Sequence, residues 1–146
     1  MFTKILLASD GSDYALRAAE VAAALAKALG SSVTVLHVFT PPVMLTSVPG
    51  SPGADMEPGA LNAYIEQVQD AVAKRTGRVL DEAGIAYQTV LEAGHPAEVI
   101  VRVAEDDQYD LIVMGSRGLS AIQSFLLGSV SDKVSHHANC PVLIVK

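Results

Sequence analysis

Lys4-Ile5-Leu6-Leu7-Ala8-Ser9, broken by Asp10-Gly11-Ser12, is the stretch that decides the fold. A near-continuous apolar run, with no alternation, is what a central parallel strand needs when both sheet faces are covered. Ser12 suits the N-cap of a helix, and Leu16, Val21, Leu25 and Leu29 recur at near-helical spacing until Gly30 stops it. Outward from this unit the same alternation repeats. Ser32–Phe39 is β-rich and reads as a second strand. A second helix runs from about Ala60 to Ala83, with the stripe Leu61, Ile65, Val68, Val72, Val79 and Ala83, and Gly84 caps it. Ile85–Glu92 is the third strand, and Pro96 opens a third helix with Val99, Ile100 and Val103 facing inward. Tyr109–Met114 is the fourth strand. A last helix spans about Ser129–Ala138, with Asn139 as a left-handed cap, and Pro141–Val145 is the fifth strand. The alternation predicts an α/β fold: an open parallel five-stranded sheet with right-handed crossovers and helices on both faces.

At 146 residues the chain is read as one domain spanning 1–146. Thr40–Gly59 holds five of the seven prolines and is read as an internal loop, not a boundary. No apolar run reaches the roughly 18 residues of a membrane span. The start, Met1-Phe2-Thr3-Lys4, enters a strand directly and resembles no signal peptide. A single cysteine, Cys140, fits a reducing compartment, so a cytoplasmic protein is expected. The net charge of −6 argues against nucleic acid as the main partner, since duplex binding needs clustered Lys and Arg. It leaves a nucleotide open, because backbone N–H groups can hold phosphate in an acidic protein.

The chemistry is expected beyond the carboxyl ends of the strands, where strand order reverses. Two strand ends carry the right residues: Ser9-Asp10-Gly11, and Gly115-Ser116-Arg117-Gly118. If the first and fourth strands are neighbours, both loops line one crevice and the order is 3-2-1-4-5. From Gly115 the chain reads Gly-x2-Gly-x9-Gly-Ser, closing at Gly128-Ser129. Glycine lets an anion approach the backbone, and a helix opening near Ser129 adds unpaired N–H groups and a positive dipole end. Between the glycines, Leu119, Ile122 and Leu126 read as a short helical turn. The pattern is neither a Walker loop nor the Gly-x-Gly-x-x-Gly dinucleotide signature. Asp10 either meets a ribose hydroxyl or metal-bridged phosphate, or only caps the first helix.

The chain resembles the ATP-binding subgroup of the universal stress protein family over nearly its whole length. The resemblance rests on Ile5-Leu6-Leu7-Ala8-Ser9-Asp10-Gly11-Ser12, Leu36-His37-Val38 and Gly94-His95-Pro96-Ala97. It continues through Asp110–Gly118, Leu127–Ser131 and Ala138–Val145, with the glycine spacing complete. It implies a Rossmann-like sheet of the adenine nucleotide α-hydrolase type. It also implies roles: Asp10 on the ribose or metal-linked phosphates, Val38 on adenine through its backbone, and Met114 and Gly115 along the ribose. Arg117, Gly118, Gly128, Ser129 and Val130 would surround the phosphates, mostly through N–H groups, and Ala8 joins the binding set. The implied ligands are ATP, or another adenine nucleotide, with Mg²⁺ carried by the nucleotide.

Other residues read blandly. His136 and His137 point about 100° apart on a helix and suit its C-terminus rather than a metal. His37 reads as a structural, hydrogen-bonded histidine, and Cys140 as a packing residue. The competing readings are a slow ATPase or phosphotransferase and a nucleotide-free interaction domain. The first lacks a general base and a metal-binding carboxylate pair beside Asp10. A homodimer through the apolar edge strand Val142–Val145 is expected.

Overall fold

In the computed structural model, residues 1–39, 49, 57–118 and 127–146 are described. The expectations for 40–48, 50–56 and 119–126, which cover most of the proline-rich stretch and the turn at Leu119–Leu126, lie outside them. The elements are β1 (Lys4–Ala8), α1 (Asp13–Leu29), β2 (Ser32–Phe39), α2 (Pro58–Glu82) and β3 (Tyr87–Ala93). They continue with α3 (Pro96–Asp106), β4 (Leu111–Gly115), α4 (Ser129–His137) and β5 (Val142–Val145). The five strands form one parallel sheet in the order β3-β2-β1-β4-β5, as expected.

The apolar run of β1 is buried on both faces because its side chains alternate between two cores. Ile5 and Leu7 join Val33, Val35, Leu111 and Val113 under α1 and Leu80 of α2. Leu6 and Ala8 join Leu36, Ile112 and Met114 under α3 and Val134 of α4. On α1 the residues that meet the sheet are alanines: Ala15, Ala18, Ala19, Ala22, Ala23 and Ala26. This corrects the expected stripe. Of the expected residues Leu25 packs against this core from the side, Leu16 and Val21 are half-buried, and Leu29 is 50% exposed. Small side chains let a helix approach a β-branched sheet closely, so burial here follows the alanine period, not the leucine period. On α2 the buried line is Leu61, Val72, Thr76 and Leu80, while Val68 and Ala83 lie outside it.

Element boundaries move by small amounts, each with a cause. Ile85 is taken by the end of α2: Gly84 adopts φ 71° and Ile85 N–H donates to Leu80 O, so β3 begins at Tyr87. Tyr109 N–H likewise closes α3 onto Ala104 O, with Gln108 left-handed at φ 56°, and β4 starts at Leu111. Asn139 is not left-handed. α4 ends with Ala138 extended, and the Asn139 amide donates to Glu105 Oε1 instead. That bond also gives one of the acidic residues at the end of α3 a partner. Asp110 ties the start of β1 to that of β4, accepting Thr3 N–H, Thr3 Oγ–H and Lys4 N–H at 2.8–3.0 Å. Burial pushes its carboxyl pKa up, but those three donors and the chain amino group outweigh it and hold the pKa below the usual value.

Candidate functional site

The sheet reverses direction of winding between β1 and β4, and their trailing loops face each other there. β1 has its last ladder partners at Ala8, opposite Leu36 and Met114. β2 runs on to Phe39. In a parallel ladder each residue turns both its N–H and its C=O to one side, alternating along the strand. Leu36 O accepts from Ser9 N–H on the β1 side, and Phe39 O accepts from Gly94 N–H on the β3 side. Val38 therefore turns both peptide groups toward β1, beyond the point where β1 has ended. An edge with one donor and one acceptor opens into the crevice at Val38. Ala8 and Met114, paired in the ladder beside it, are buried at 8% and 5% exposure.

Asp10 enters from the β1 side. Its Oδ1 accepts Ser12 N–H at 2.9 Å, and Ser12 Oγ accepts Ala15 N–H at 3.2 Å, so the carboxylate is held over the start of α1. Its Oδ2 faces Gly118: a Cβ built there would lie 2.5 Å away. The side chain thus braces the α1 N-terminus and borders the glycine turn. Behind it, Ser9 is locked by a buried hydrogen bond of 2.7 Å to Thr76 of α2. The Ser9 carbonyl accepts from His37 Nδ1 at 2.9 Å, which makes His37 the hydrogen-bonded structural residue expected.

The glycine turn closes on itself through Ser116. Ser116 O accepts Gly128 N–H at 2.7 Å and Ser131 Oγ–H at 2.8 Å. A Cβ on Gly128 would stand 3.0 Å from that oxygen and 3.2 Å from Arg117 Cα, so the glycine is required by loop closure. The N–H of Gly128 is committed to Ser116. The first α4 amide bonded back into the helix is Asp132, to Gly128 O. The Ser129, Val130 and Ser131 amides are the first-turn N–H groups that an α-helix leaves unpaired, at its positive end. Gly115 has a different reason to be glycine, since a Cβ there would meet Tyr14 main-chain and Cβ atoms at 2.8 Å. Tyr14 was missed in the sequence, and Ser116 and Ser131 were quoted there with no role of their own. Nothing in their local pattern marks them, and only the pairing of loops makes them part of the site.

His136 and His137 turn Nδ1 toward the carbonyls one turn back, Asp132 O and Lys133 O, at 2.8 Å, as residues closing a helix C-terminus. Among the described residues, no group of three or more His, Cys, Asp or Glu is placed to hold a metal ion. Cys140 is half-buried; desolvation, then Asp110, pushes its thiol pKa up, away from thiolate chemistry. Among the described residues, no helix is long and apolar enough to cross a membrane.

A parallel sheet in the order β3-β2-β1-β4-β5, with a glycine turn and a helix N-terminus at the point where its winding reverses, places the chain among the doubly wound α/β proteins. Within that class the chain belongs to the universal stress protein family, whose profile matches residues 1–146. It is 42% identical to the universal stress protein in the QAH/OAS sulfhydrylase 3′ region of Thermus aquaticus, covering 100% of both chains. It is 37% identical to universal stress protein YxiE of Bacillus subtilis, again over 100% of both. Among solved structures it resembles MJ0577 of Methanocaldococcus jannaschii, with TM-score 0.79 and 32% identity over 100% of this chain and 96% of that one. It also resembles the universal stress protein of Archaeoglobus fulgidus in complex with dAMP, with TM-score 0.69 and 25% identity over 100% of both chains.

Proposed function

We propose that this protein binds an adenine nucleotide, ATP with Mg²⁺, in the crevice between β1 and β4, and acts as a nucleotide-dependent stress-response module. The observation that carries the reading is the open peptide edge at Val38, across the crevice from the glycine turn and the N-terminus of α4. Adenine offers a donor and an acceptor side by side, which such an edge matches. Asp10 and the Gly115 backbone would flank the ribose. Arg117, Gly118 and the Ser129–Val130 amides would face the phosphates, with Gly128 shaping the turn rather than donating. Mg²⁺ would arrive with the phosphates and meet Asp10. The solved relative in complex with dAMP supports an adenine nucleotide as the ligand class.

The reading is of a binding protein rather than an enzyme. A homodimer through β5 and a cytoplasmic setting complete it. Calorimetry of ATP with and without Mg²⁺ tests the ligand. The expected affinity is around micromolar, about −8 kcal/mol. Absence of saturable binding up to millimolar ATP overturns the reading. Turnover above about one per second, abolished by Asp10→Ala, would establish an enzyme instead.

A further inference from the structure

Arg117 leaves the glycine turn and reaches back to α1, where its Nη1 donates to Tyr14 Oη at 3.3 Å. Its guanidinium carbon lies 5.9 Å from the centre of the Tyr14 ring, and that of Arg17, one turn further along α1, lies 4.9 Å from the same ring. Two cations therefore share one half-buried aromatic at the crevice mouth. The Tyr14 main chain and Cβ pack directly on Gly115 at the end of β4. Among the described residues, neither Arg17 nor Arg117 is in an ion pair with a carboxylate.

We infer that Tyr14 is a positioning residue that holds Arg117, with Arg17 beside it, as a paired guanidinium clamp for the outer phosphates of a nucleoside triphosphate. The site then discriminates by phosphate-chain length. The inference rests on the adenine-nucleotide reading above. A guanidinium carries five N–H donors in a planar fork; a ring face occupies none of them and the Tyr14 hydroxyl takes one. The rest stay available for bidentate contact with phosphate. The edge at Val38 and the Gly115 backbone meet parts that a monophosphate and a triphosphate share, so chain length is read on the phosphate side of the crevice, where Arg117 lies. Two like charges held on one ring are relieved by the additional anionic charge of the longer chain.

The test is calorimetry of ATP and AMP against the parent, Tyr14→Phe, Tyr14→Ala and Arg17→Gln at one ionic strength, with circular dichroism reporting the fold. The quantity read is the ratio of the AMP and ATP dissociation constants. It is expected to fall about threefold in Tyr14→Phe, which keeps the ring, and about tenfold in Tyr14→Ala. Arg17→Gln changes an exposed side chain, folds independently of the ring, and is expected to lower the ratio as well. A merely structural Tyr14 would weaken both nucleotides equally, and an unchanged ratio in Tyr14→Ala or Arg17→Gln overturns the clamp. A parent that binds ATP and AMP alike overturns the clamp and leaves the crevice standing. A parent that binds neither overturns both.

Discussion

Gly115, Gly118 and Gly128 belong to one motif, yet the structure asks something different of each. At Gly118 the space a Cβ would take lies against the Asp10 carboxylate, on the crevice side. Gly118→Ala is expected to keep the fold and lower ATP affinity by about tenfold or more, roughly 1.4 kcal/mol. Calorimetry on a sample with unchanged circular dichroism checks it, and wild-type affinity would remove Gly118 from the site. At Gly115 the obstacle is the Tyr14 main chain, which has no side-chain freedom to yield. Gly115→Ala is therefore expected to destabilise the fold by about 1–3 kcal/mol, read as a lower urea midpoint. The spacing of the glycines was legible in the sequence, because strand–turn–helix punctuation is local. Their division of labour was not, since it depends on which atoms of α1 and β1 stand opposite them.

Elements were legible where one physical cause dominates. β1 and β4 are short apolar runs and β2 is rich in β-branched residues, and burial on both faces leaves them no other reading. The inner face of α1 was misread because alanine contributes little to an apolar count yet permits close packing. Ala22, fully buried against the sheet, has no room for a longer chain, so Ala22→Leu is expected to cost about 1–3 kcal/mol on denaturation despite adding apolar surface. The junction of β1 with β4 gives a pH dependence. The Asp110 pKa is lower in the folded chain than in the unfolded one, so the unfolded chain binds the extra proton first. Its contribution is fully present above the unfolded value, roughly pH 4, and is lost as pH falls through the lower folded value. Asp110→Asn is expected to destabilise at pH 7 and to flatten the acid limb of a stability–pH curve. A mutant curve parallel to that of the parent below pH 4 would contradict this.

At the scale of the molecule, the sheet formed by the described residues ends in two strands of unequal character, β3 and β5. β3 presents Gln88 and Thr89 and carries the ion pair of Glu92 with Arg102 at 3.1 Å, so polar and charged side chains guard it even though Leu91 is exposed. β5 offers Val142, Leu143, Ile144 and Val145, with Pro141 and Lys146 at its ends as local deterrents to pairing. Leu143 is 36% exposed at the middle of this strand, while Val142 and Ile144 turn toward the α3–α4 core. An antiparallel meeting of β5 with its own copy about a two-fold axis would satisfy the open backbone edge and cover Leu143 in one closed contact. It would also leave the crevice untouched, since β4 separates β5 from β1. Dimerisation and nucleotide binding are accordingly expected to be separable. Leu143→Glu should shift the protein from dimer toward monomer in light scattering at tens of micromolar while ATP affinity changes less than about threefold. A parent that is monomeric at that concentration, or a dimer indifferent to the charge, would exclude β5 as the interface. A monomeric variant that had lost ATP would show instead that the second copy completes the site.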